Sequence, residues 1–280
     1  MSTRVILSAS HYADYCFPVG IAALLWREVV GYEPLVFLFG NPGDAVDGRM
    51  TLARDFMNKA FIDCCYMTRL ADWPVHVSAQ NSRYHAAALH FADDLWLVPS
   101  DADLFPLRRD FYHQHEDYEG RFVFYYANGD HYVNYPTCHI AARTKDWRDI
   151  MEIGATGDVM GQMRKNLEAH LRPQLTGLPP SEAGFKVWMN DMWDFSRRIK
   201  AKPWHPAECR MIEREGHPPK DRLDRSNWPA KYDVKDYTDA HILRATHEPE
   251  NWKRTRPIVE ALIPQHLERI DRYVEEFRRS

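Results

Sequence analysis

The sequence predicts an α/β fold in which a mostly parallel sheet is flanked by helices and followed by a helical C-terminal section. Two observations carry this prediction. The chain opens with two strand-like apolar runs separated by a segment of helical spacing, and this β-α-β order favours parallel pairing. After about residue 145, helical periodicity replaces the apolar runs. With 280 residues, 45% of them hydrophobic, the chain suits one large domain.

The first half alternates short apolar runs with segments whose apolar residues recur every three or four positions. The apolar runs predict strands at 4–9, 34–39, 62–67, 95–98, 122–126 and 138–142. The periodic segments predict helices at 17–30, 50–59, 80–91 and 106–113. Gly31 is expected to end the first of these helices, because glycine readily adopts the left-handed conformation found at helix ends.

The second half is predicted to be mainly helical. Helices are expected at 145–153, 159–171, 181–199 and 252–277. Pro257 and Pro264 are expected to break the last of them, since proline removes a helical hydrogen bond. The segment 203–237 is rich in proline, charge and tryptophan without a clear period, and it is predicted to be a long ordered loop or lid.

Two carboxylates, Asp101 and Asp103, directly follow the apolar run 95–98. Negative charges at the end of a buried strand are costly unless a cation or hydrogen-bond donors compensate them. Ligands of open α/β sheets bind beyond the carboxyl ends of the strands, and carboxylate oxygens suit hard divalent cations that also hold phosphates. The pair therefore predicts a metal-diphosphate site. The alternative is an Asp-rich turn that caps the helix predicted at 106–113.

Composition and missing motifs argue against several other classes of protein. The net charge of −4 offers no broad electrostatic surface for nucleic acid. The sequence contains no GxGxxG, GxxxxGK[ST] or GxSxG motif, which disfavours Rossmann dinucleotide, P-loop and α/β-hydrolase functions. Five cysteines without a CxxC pair indicate a reducing compartment, and a cytoplasmic location is expected. Neither a signal peptide nor a membrane span is expected.

Five short segments, in this order, resemble the GT-A class of nucleotide-sugar glycosyltransferases, including the glycosyltransferase domains that build the capsid glycans of large viruses. The segments are SASHYADY at 8–15, QNSRY at 80–84, SDADLFPL at 100–107, WMND at 188–191 and DAHILR at 239–244. The first is followed by Pro18 and Trp26, as in the viral domains. The fourth is similar to a W-x-x-D-Q element, with Met192 in place of the glutamine. The resemblance spans roughly residues 4–262.

The resemblance implies a single GT-A-like catalytic domain over residues 1–280. Its nucleotide-sugar-binding α/β part would lie at about 1–145, and its acceptor-side helices and long loop at about 146–280. The implied reaction moves a sugar from a UDP- or GDP-linked donor to a glycan or another hydroxyl acceptor. Bound Mn²⁺ or Mg²⁺ would stabilise the leaving diphosphate. A modified nucleic-acid base stays open as an acceptor, although the acidic net charge argues mildly against it.

The resemblance also implies roles for the metal-binding residues and the general base. Asp103 would ligate the metal directly, Asp101 would contact the ribose or the metal, and His241 would complete the metal shell. Asp191, predicted to lie on a helix among apolar side chains, would be the general base of an inverting transfer, with its pKa raised by burial. The alternative is an ion pair between Asp191 and a cation of the same helix, namely Arg197, Arg198 or Lys200, with Asp194 as the substitute base.

The remaining predicted site residues would bind the nucleotide. The base and ribose are assigned to Ser8, Ser10, Tyr12 and Tyr15 at the end of the first strand, where a tyrosine ring could stack on the base. The diphosphate is assigned to Arg83 and Arg244, because a guanidinium group matches phosphate oxygens.

Three other functions compete with this hypothesis. A nucleotidyltransferase also uses paired aspartates and Mg²⁺, but residues 8–16 lack the glycines of its usual early loop. A metal hydrolase could use His113 and His115, although no second cluster has the spacing of a known metal motif. A non-catalytic GT-A-like module that binds a glycan or a partner is the third alternative.

Overall fold

The structure is a computed structural model that describes residues 2–41, 48–127, 134–216 and 218–280. Ten strands lie in the described residues. They are β1 (Thr3–Ser10), β2 (Glu33–Gly40), β3 (Asp63–Thr68), β4 (Trp96–Asp101), β5 (Leu104–Pro106), β6 (Phe122–Phe124), β7 (Ile140–Arg143), β8 (Cys209–Met211), β9 (Arg222–Asp224) and β10 (Asp239–His241).

Seven of these strands form the central sheet, in the order β3-β2-β1-β4-β7-β6-β8. The first four are mutually parallel, β7 runs antiparallel to both β4 and β6, and β8 is parallel to β6. The central strands are apolar throughout because both faces are covered: Val5 and Leu7 enter one buried cluster, and Ile6 enters the other. The predicted fold class, a mostly parallel sheet between helices with a helical C-terminal section, is confirmed.

The helices cover both faces of this sheet and make up most of the second half. They are α1 (Ala13–Leu25), α2 (Gly48–Lys59), α3 (Val75–His85), α4 (Arg109–Tyr112), α5 (Thr144–Met151), α6 (Val159–Asn166), α7 (Arg172–Leu175), α8 (Pro180–Lys200), α9 (Pro249–Leu262) and α10 (Leu267–Arg279). Within the described ranges, no helix combines the length and the apolar character that crossing a membrane requires.

Several helix predictions differ from the structure in detail. The helix predicted at 80–91 begins earlier, at Val75, and ends at His85. The first helix changes to a π-helical turn at Trp26–Val30 before Gly31, whose φ is 89°. The segment predicted as a helix at 106–113 begins with the end of β5, and only the short α4 follows. Pro264 separates α9 from α10 as expected, but Pro257 lies inside α9, where burial of the neighbouring Ile258 and Val259 outweighs its local cost.

A second sheet joins the two halves of the sequence in the order β5-β10-β9. β5 pairs with β10 antiparallel, and β10 pairs with β9 parallel. The aperiodic segment 203–237 supplies β8 to the central sheet and β9 to this small sheet, so much of the predicted loop has regular pairing. At the C-terminal end, the Tyr273 hydroxyl of α10 donates a 3.1 Å hydrogen bond to the Phe17 carbonyl of α1.

Candidate active site

The small sheet brings His241 next to the two carboxylates at the end of β4. β4 ends at Asp101, and β5 begins three residues later with Leu104, which pairs with His241. The pairing continues beyond the strand, because the Ile242 amide donates a 3.0 Å hydrogen bond to the Asp103 carbonyl. As a result, one ligand atom each from Asp101, Asp103 and His241 lies within 4.8 Å of the other two.

Cations hold both carboxylates ionised in spite of their burial. Burial raises the pKa of Asp101, but the Arg83 guanidinium outweighs it and holds this pKa below its usual value. Arg83 is hydrogen-bonded to Asp101. Burial acts on Asp103 in the same way, and the charge and the hydrogen bond of Arg225 oppose it, so that the pKa of Asp103 lies well below its usual value. Ionised carboxylates are the form that binds a divalent cation.

The His241 ring lies between carboxylates and a guanidinium. Burial lowers the pKa of His241, whereas Asp103 and Asp224 raise it, to about 9 overall. A protonated Nε2 would however point an N–H at Arg225 Nη2, which lies only 2.5 Å away. We therefore assign the neutral ring to this arrangement, with the Nε2 lone pair facing Arg225. Nδ1 then carries the proton and faces Asp224 Oδ2 at 3.4 Å, an orientation that prepares Nε2 for a metal.

Asp191 lies on the other side of Arg83. Arg83 Nη2 donates a 2.9 Å hydrogen bond to Asp191 Oδ2, and the Thr137 hydroxyl donates another of 2.9 Å to the same oxygen. Burial raises the pKa of Asp191, and Arg83 and Thr137 only partly oppose this effect. The alternative pairing of Asp191 with cations of its own helix does not occur. Two of those cations bind Asp194 instead, which lies 2.6 Å from Arg197 and 2.7 Å from Arg198, and the Lys200 ammonium lies over the Tyr135 ring, 5.2 Å from its centroid.

A cavity of about 270 Å³ gathers most of the predicted site residues. It is bordered by the end of β1, the helices α3 and α8, and the turn between β4 and β5. Eight predicted residues line it: Ser8, Ser10, Tyr15, Arg83, Asp101, Asp103, Asp191 and His241. Trp188, Met189 and Met192 of α8 add an apolar wall. This clustering places a candidate metal group, a candidate base and hydroxyl groups around one space.

Tyr12 and Arg244, the other two predicted site residues, do not line this cavity. Tyr12 is 51% exposed and lines a neighbouring open depression together with Asn41, Arg69 and Asp72. Arg244 is exposed just beyond β10, and it lies near enough to Tyr15 for its charge to act on the pKa of that phenol. Their assignments to the base and the diphosphate stay predictions.

Several residues at the site were not predicted from the sequence. Arg225 and Asp224 come from the aperiodic segment 203–237, where no spacing points to the metal group. Thr137 and Cys138 follow a stretch without regular pattern, and Thr137 reaches Asp191 only because a short 3-10 turn, Thr137–His139, precedes β7. The ion pair between Arg83 and Asp191 joins positions 108 apart, a distance that local periodicity cannot reveal.

A second cavity of about 470 Å³ adjoins the first at Asp101. It shares a wall with the first cavity, formed by Asp101, Pro136, Cys138, Met189, Met192 and His241. Its far side carries Tyr126, His139 and Arg222, with Pro218 and Pro219. Arg222 is anchored by two hydrogen bonds to the buried Asp239, of 2.7 and 3.0 Å, so it forms a fixed part of the wall.

The histidines of the hydrolase alternative serve the packing of the fold. His113 Nε2 contacts the Val30 carbonyl at 2.7 Å. His115 is fully buried, 3.0 Å from both the Thr3 hydroxyl and the Tyr112 carbonyl. Neither lines the two cavities around the carboxylate pair.

Comparisons with known proteins return structural matches alone. No protein-family model matches the sequence, and no curated protein matches it significantly. Among solved structures, the galactosyltransferase LgtC in complex with donor and acceptor sugar analogues matches with 9% identity and a TM-score of 0.46, over 93% of this chain and 96% of that one. The glycosyltransferase GlyE of Streptococcus pneumoniae TIGR4 matches with 11% identity and a TM-score of 0.44, over 76% of this chain. The bifunctional glycosyltransferase WbbM matches with 9% identity and a TM-score of 0.44, over 97% of this chain.

The chain spans only 46% of the GlyE chain and 51% of the WbbM chain that it matches. The resemblance to the capsid-glycan domains of large viruses stays a prediction.

Proposed function

We propose that this protein is a metal-dependent GT-A-type glycosyltransferase that moves a sugar from a nucleoside-diphosphate donor to a hydroxyl acceptor. The observation that carries the proposal is the convergence of Asp101, Asp103 and His241 within 4.8 Å at the carboxyl end of a parallel sheet, in a cavity that also holds Asp191. The activity, the donor and the acceptor can each be tested directly.

The donor atoms of the site fit a divalent cation. Two ionised carboxylates and one imidazole form an oxygen-rich set that suits Mn²⁺, and also Mg²⁺ with more water in its shell. When bound, the cation would act as a Lewis acid on the diphosphate, which gains charge as the sugar leaves. Asp103 and His241 Nε2 would be its direct ligands, with Asp101 as the third, and Asp224 would orient the imidazole.

The first cavity provides a place for the donor. Ser8 and Ser10 lie at the end of β1, and Tyr15 lies in the first turn of α1, all in the same cavity as the metal group, so a nucleoside there would direct its diphosphate toward Asp101 and Asp103. The buried Arg83 lies behind the carboxylates and stabilises their charge. UDP and GDP donors both remain candidates, because no contact in the structure distinguishes the two bases.

The second cavity is the candidate acceptor side, and Asp191 is the candidate base. Met192, next to Asp191 on α8, lines both cavities, so the reaction would take place at their shared wall. Both hydrogen bonds that Asp191 accepts from side chains end on Oδ2, so Oδ1 would be the oxygen that accepts the proton of an acceptor hydroxyl. A carboxylate of raised pKa is the better proton acceptor, provided that it is ionised at the working pH.

The decisive experiment combines a donor screen with one conservative substitution. Purified protein is incubated with Mn²⁺ and a panel of UDP- and GDP-sugars, and release of the nucleoside diphosphate is measured together with calorimetric binding. Asp103→Asn should abolish both Mn²⁺-dependent nucleotide binding and turnover, because it removes one charged ligand while keeping the shape of the side chain. Asp110→Asn, at an exposed ion pair with Arg108, is the matched control.

Full turnover by a folded Asp103→Asn protein would refute the metal site. Release of pyrophosphate from nucleoside triphosphates in place of sugar transfer would favour a nucleotidyltransferase. Absence of any nucleotide binding would favour a non-catalytic module that binds a glycan or another partner.

A further inference from the structure

Arg225 occupies the space between two of the proposed metal ligands. Its Nη1 donates a 2.7 Å hydrogen bond to Asp103 Oδ2, and its Nη2 lies 2.5 Å from His241 Nε2. The two contacted atoms, Asp103 Oδ2 and His241 Nε2, lie 3.6 Å apart, so they are the atoms through which both residues could bind one cation. The guanidinium therefore supplies positive charge where the metal would supply it.

The backbone of Arg225 is fixed, whereas its side chain has room to turn. The Arg225 amide donates a 3.0 Å hydrogen bond to the His241 carbonyl, and the preceding residue, Asp224, ends β9. The side chain is 26% exposed and lines the first cavity, in contrast to the 7% exposure of its partner Asp103. A rotation about side-chain bonds would move the charged group off the ligands without disturbing the small sheet.

We infer that Arg225 is an internal cation that competes with the divalent metal for Asp103 and His241, and that it contacts the diphosphate of the donor once displaced. This inference rests on the proposed function, and it predicts that metal and nucleotide bind cooperatively. Without nucleotide, binding of the metal would have to separate Arg225 from the buried carboxylate of Asp103. A nucleoside diphosphate gives the displaced guanidinium a new anionic partner, which guanidinium groups bind well.

Charge balance explains why such a residue is useful. Asp101, Asp103 and Asp224 bring three carboxylates close together, and Arg83 is already shared between Asp101 and Asp191. Without Arg225, the metal-free site would hold uncompensated negative charge in a partly buried place. With Arg225 in place, the ligands keep their positions until metal and donor arrive together.

The test measures Mn²⁺ binding to the protein of residues 1–280, with and without UDP or GDP, by electron paramagnetic resonance of free Mn²⁺. Arg225→Met keeps most of the side-chain length and removes the charge. Without nucleotide, this variant should bind Mn²⁺ at least about tenfold more tightly than the wild type, within the usual range of coupling between two sites. Addition of nucleotide should raise the Mn²⁺ affinity of the wild type by a larger factor than that of the variant.

Arg272→Met, at an exposed ion pair on α10, is the matched control and should leave Mn²⁺ binding unchanged. Arg225→Lys, which keeps the charge but loses the two-pronged contact, should give an intermediate affinity. If Arg225→Met or a folded Arg225→Lys binds Mn²⁺ no more tightly than the wild type, the competition does not exist. If neither the wild type nor Arg225→Met binds Mn²⁺ with any nucleotide, the proposed function fails as well, which separates the two failures.

Discussion

At the scale of single residues, two arginine side chains connect the groups of the candidate site. Arg83 connects Asp101 to Asp191, and Arg225 connects Asp103 to His241. Each carboxylate is thus positioned by a cation that belongs to another element. In such a network, removal of a carboxylate releases a cation as well as a ligand, so the informative substitutions keep the shape of the side chain.

The first prediction concerns Asp191. Asp191→Asn should lower kcat by about 10²-fold or more, the scale of general-base catalysis, because the amide cannot accept the acceptor proton. Donor affinity should change little, since the donor is assigned to the end of β1 and the metal group. Transfer rate and donor binding are measured on the same variant. A collapse of donor binding with kcat preserved at saturating donor would assign Asp191 to the donor site instead.

The second prediction concerns the pH dependence of kcat. Because the pKa of Asp191 is raised, the wild type and Asp191→Asn should differ in this dependence. The kcat of the wild type should fall as the pH drops and Asp191 becomes protonated, with a midpoint above the ordinary carboxyl value. The residual activity of Asp191→Asn should lack that acidic limb. An identical limb in both proteins would assign it to another group.

The third prediction concerns Asp224, which touches the imidazole and is not itself one of the three proposed ligands. Asp224→Asn should weaken Mn²⁺ binding by about 10- to 100-fold, the effect usual for a residue that orients a metal-binding histidine. Asp233→Asn, on the surface turn where that aspartate accepts a hydrogen bond from the Lys235 amide, is the control. Calorimetry with Mn²⁺ alone and with nucleotide distinguishes orientation of the ligand from general loss of structure. Unchanged Mn²⁺ affinity in a folded Asp224→Asn protein would contradict the role.

At the scale of elements, the longer strands and helices could be predicted from the hydrophobic pattern of the sequence. The contacts that complete the site could not. β1, β2 and β4 contain short apolar runs with β-branched or aromatic residues, which favour strands, and α8 shows helical spacing through 181–199. In contrast, β5, β9 and β10 are three residues each, too short for a period, and their pairing is decided by contacts distant in sequence. The pair Asp101 and Asp103, together with His241, could therefore be proposed from motifs. Arg225 and Asp224 could not.

A fourth prediction tests how closely α1 and α2 pack. A Cβ on Gly20 of α1 would lie 2.8 Å from the Phe56 ring of α2. Gly20→Ala should therefore lower the free energy of unfolding by up to about 2 kcal/mol, because overpacking outweighs the gain in helix propensity. Gly184→Ala on α8, where nothing lies within 4 Å, should raise it by about 0.5–1 kcal/mol. Denaturant unfolding of both variants measures the change in the free energy of unfolding for each. An increase for Gly20→Ala would show that α1 and α2 leave room for the added methyl group.

At the scale of the whole molecule, buried histidines connect stability to pH. Burial lowers the pKa of both His85 and His115 to about 4, so the folded protein keeps them neutral where the unfolded chain, with a pKa near 6.5, binds protons. Since the unfolded state binds more protons between these values, the free energy of unfolding should fall as the pH drops from 6.5 toward 4. Each histidine should account for about 2 kcal/mol between pH 7 and pH 5.

This fifth prediction is checked by urea unfolding at pH 7 and pH 5. His115→Gln should lose about half of the pH sensitivity that the two histidines cause, whatever its stability at pH 7. His90→Gln, at an exposed histidine, should keep the full sensitivity. Equal pH dependence in His115→Gln and the wild type would mean that folding does not lower the pKa of His115.

The pairing of β5 with β10 also has a consequence for the order of folding. Asp103 and His241 are 138 positions apart, and their neighbouring strands meet only when β10 has joined the small sheet. Closing so long a segment is slow relative to local helix formation. During synthesis, a growing chain can complete its four parallel strands well before the histidine has been translated. Mn²⁺ binding should therefore appear late in refolding, after the central sheet has formed. Its time course would report when β10 joins the small sheet.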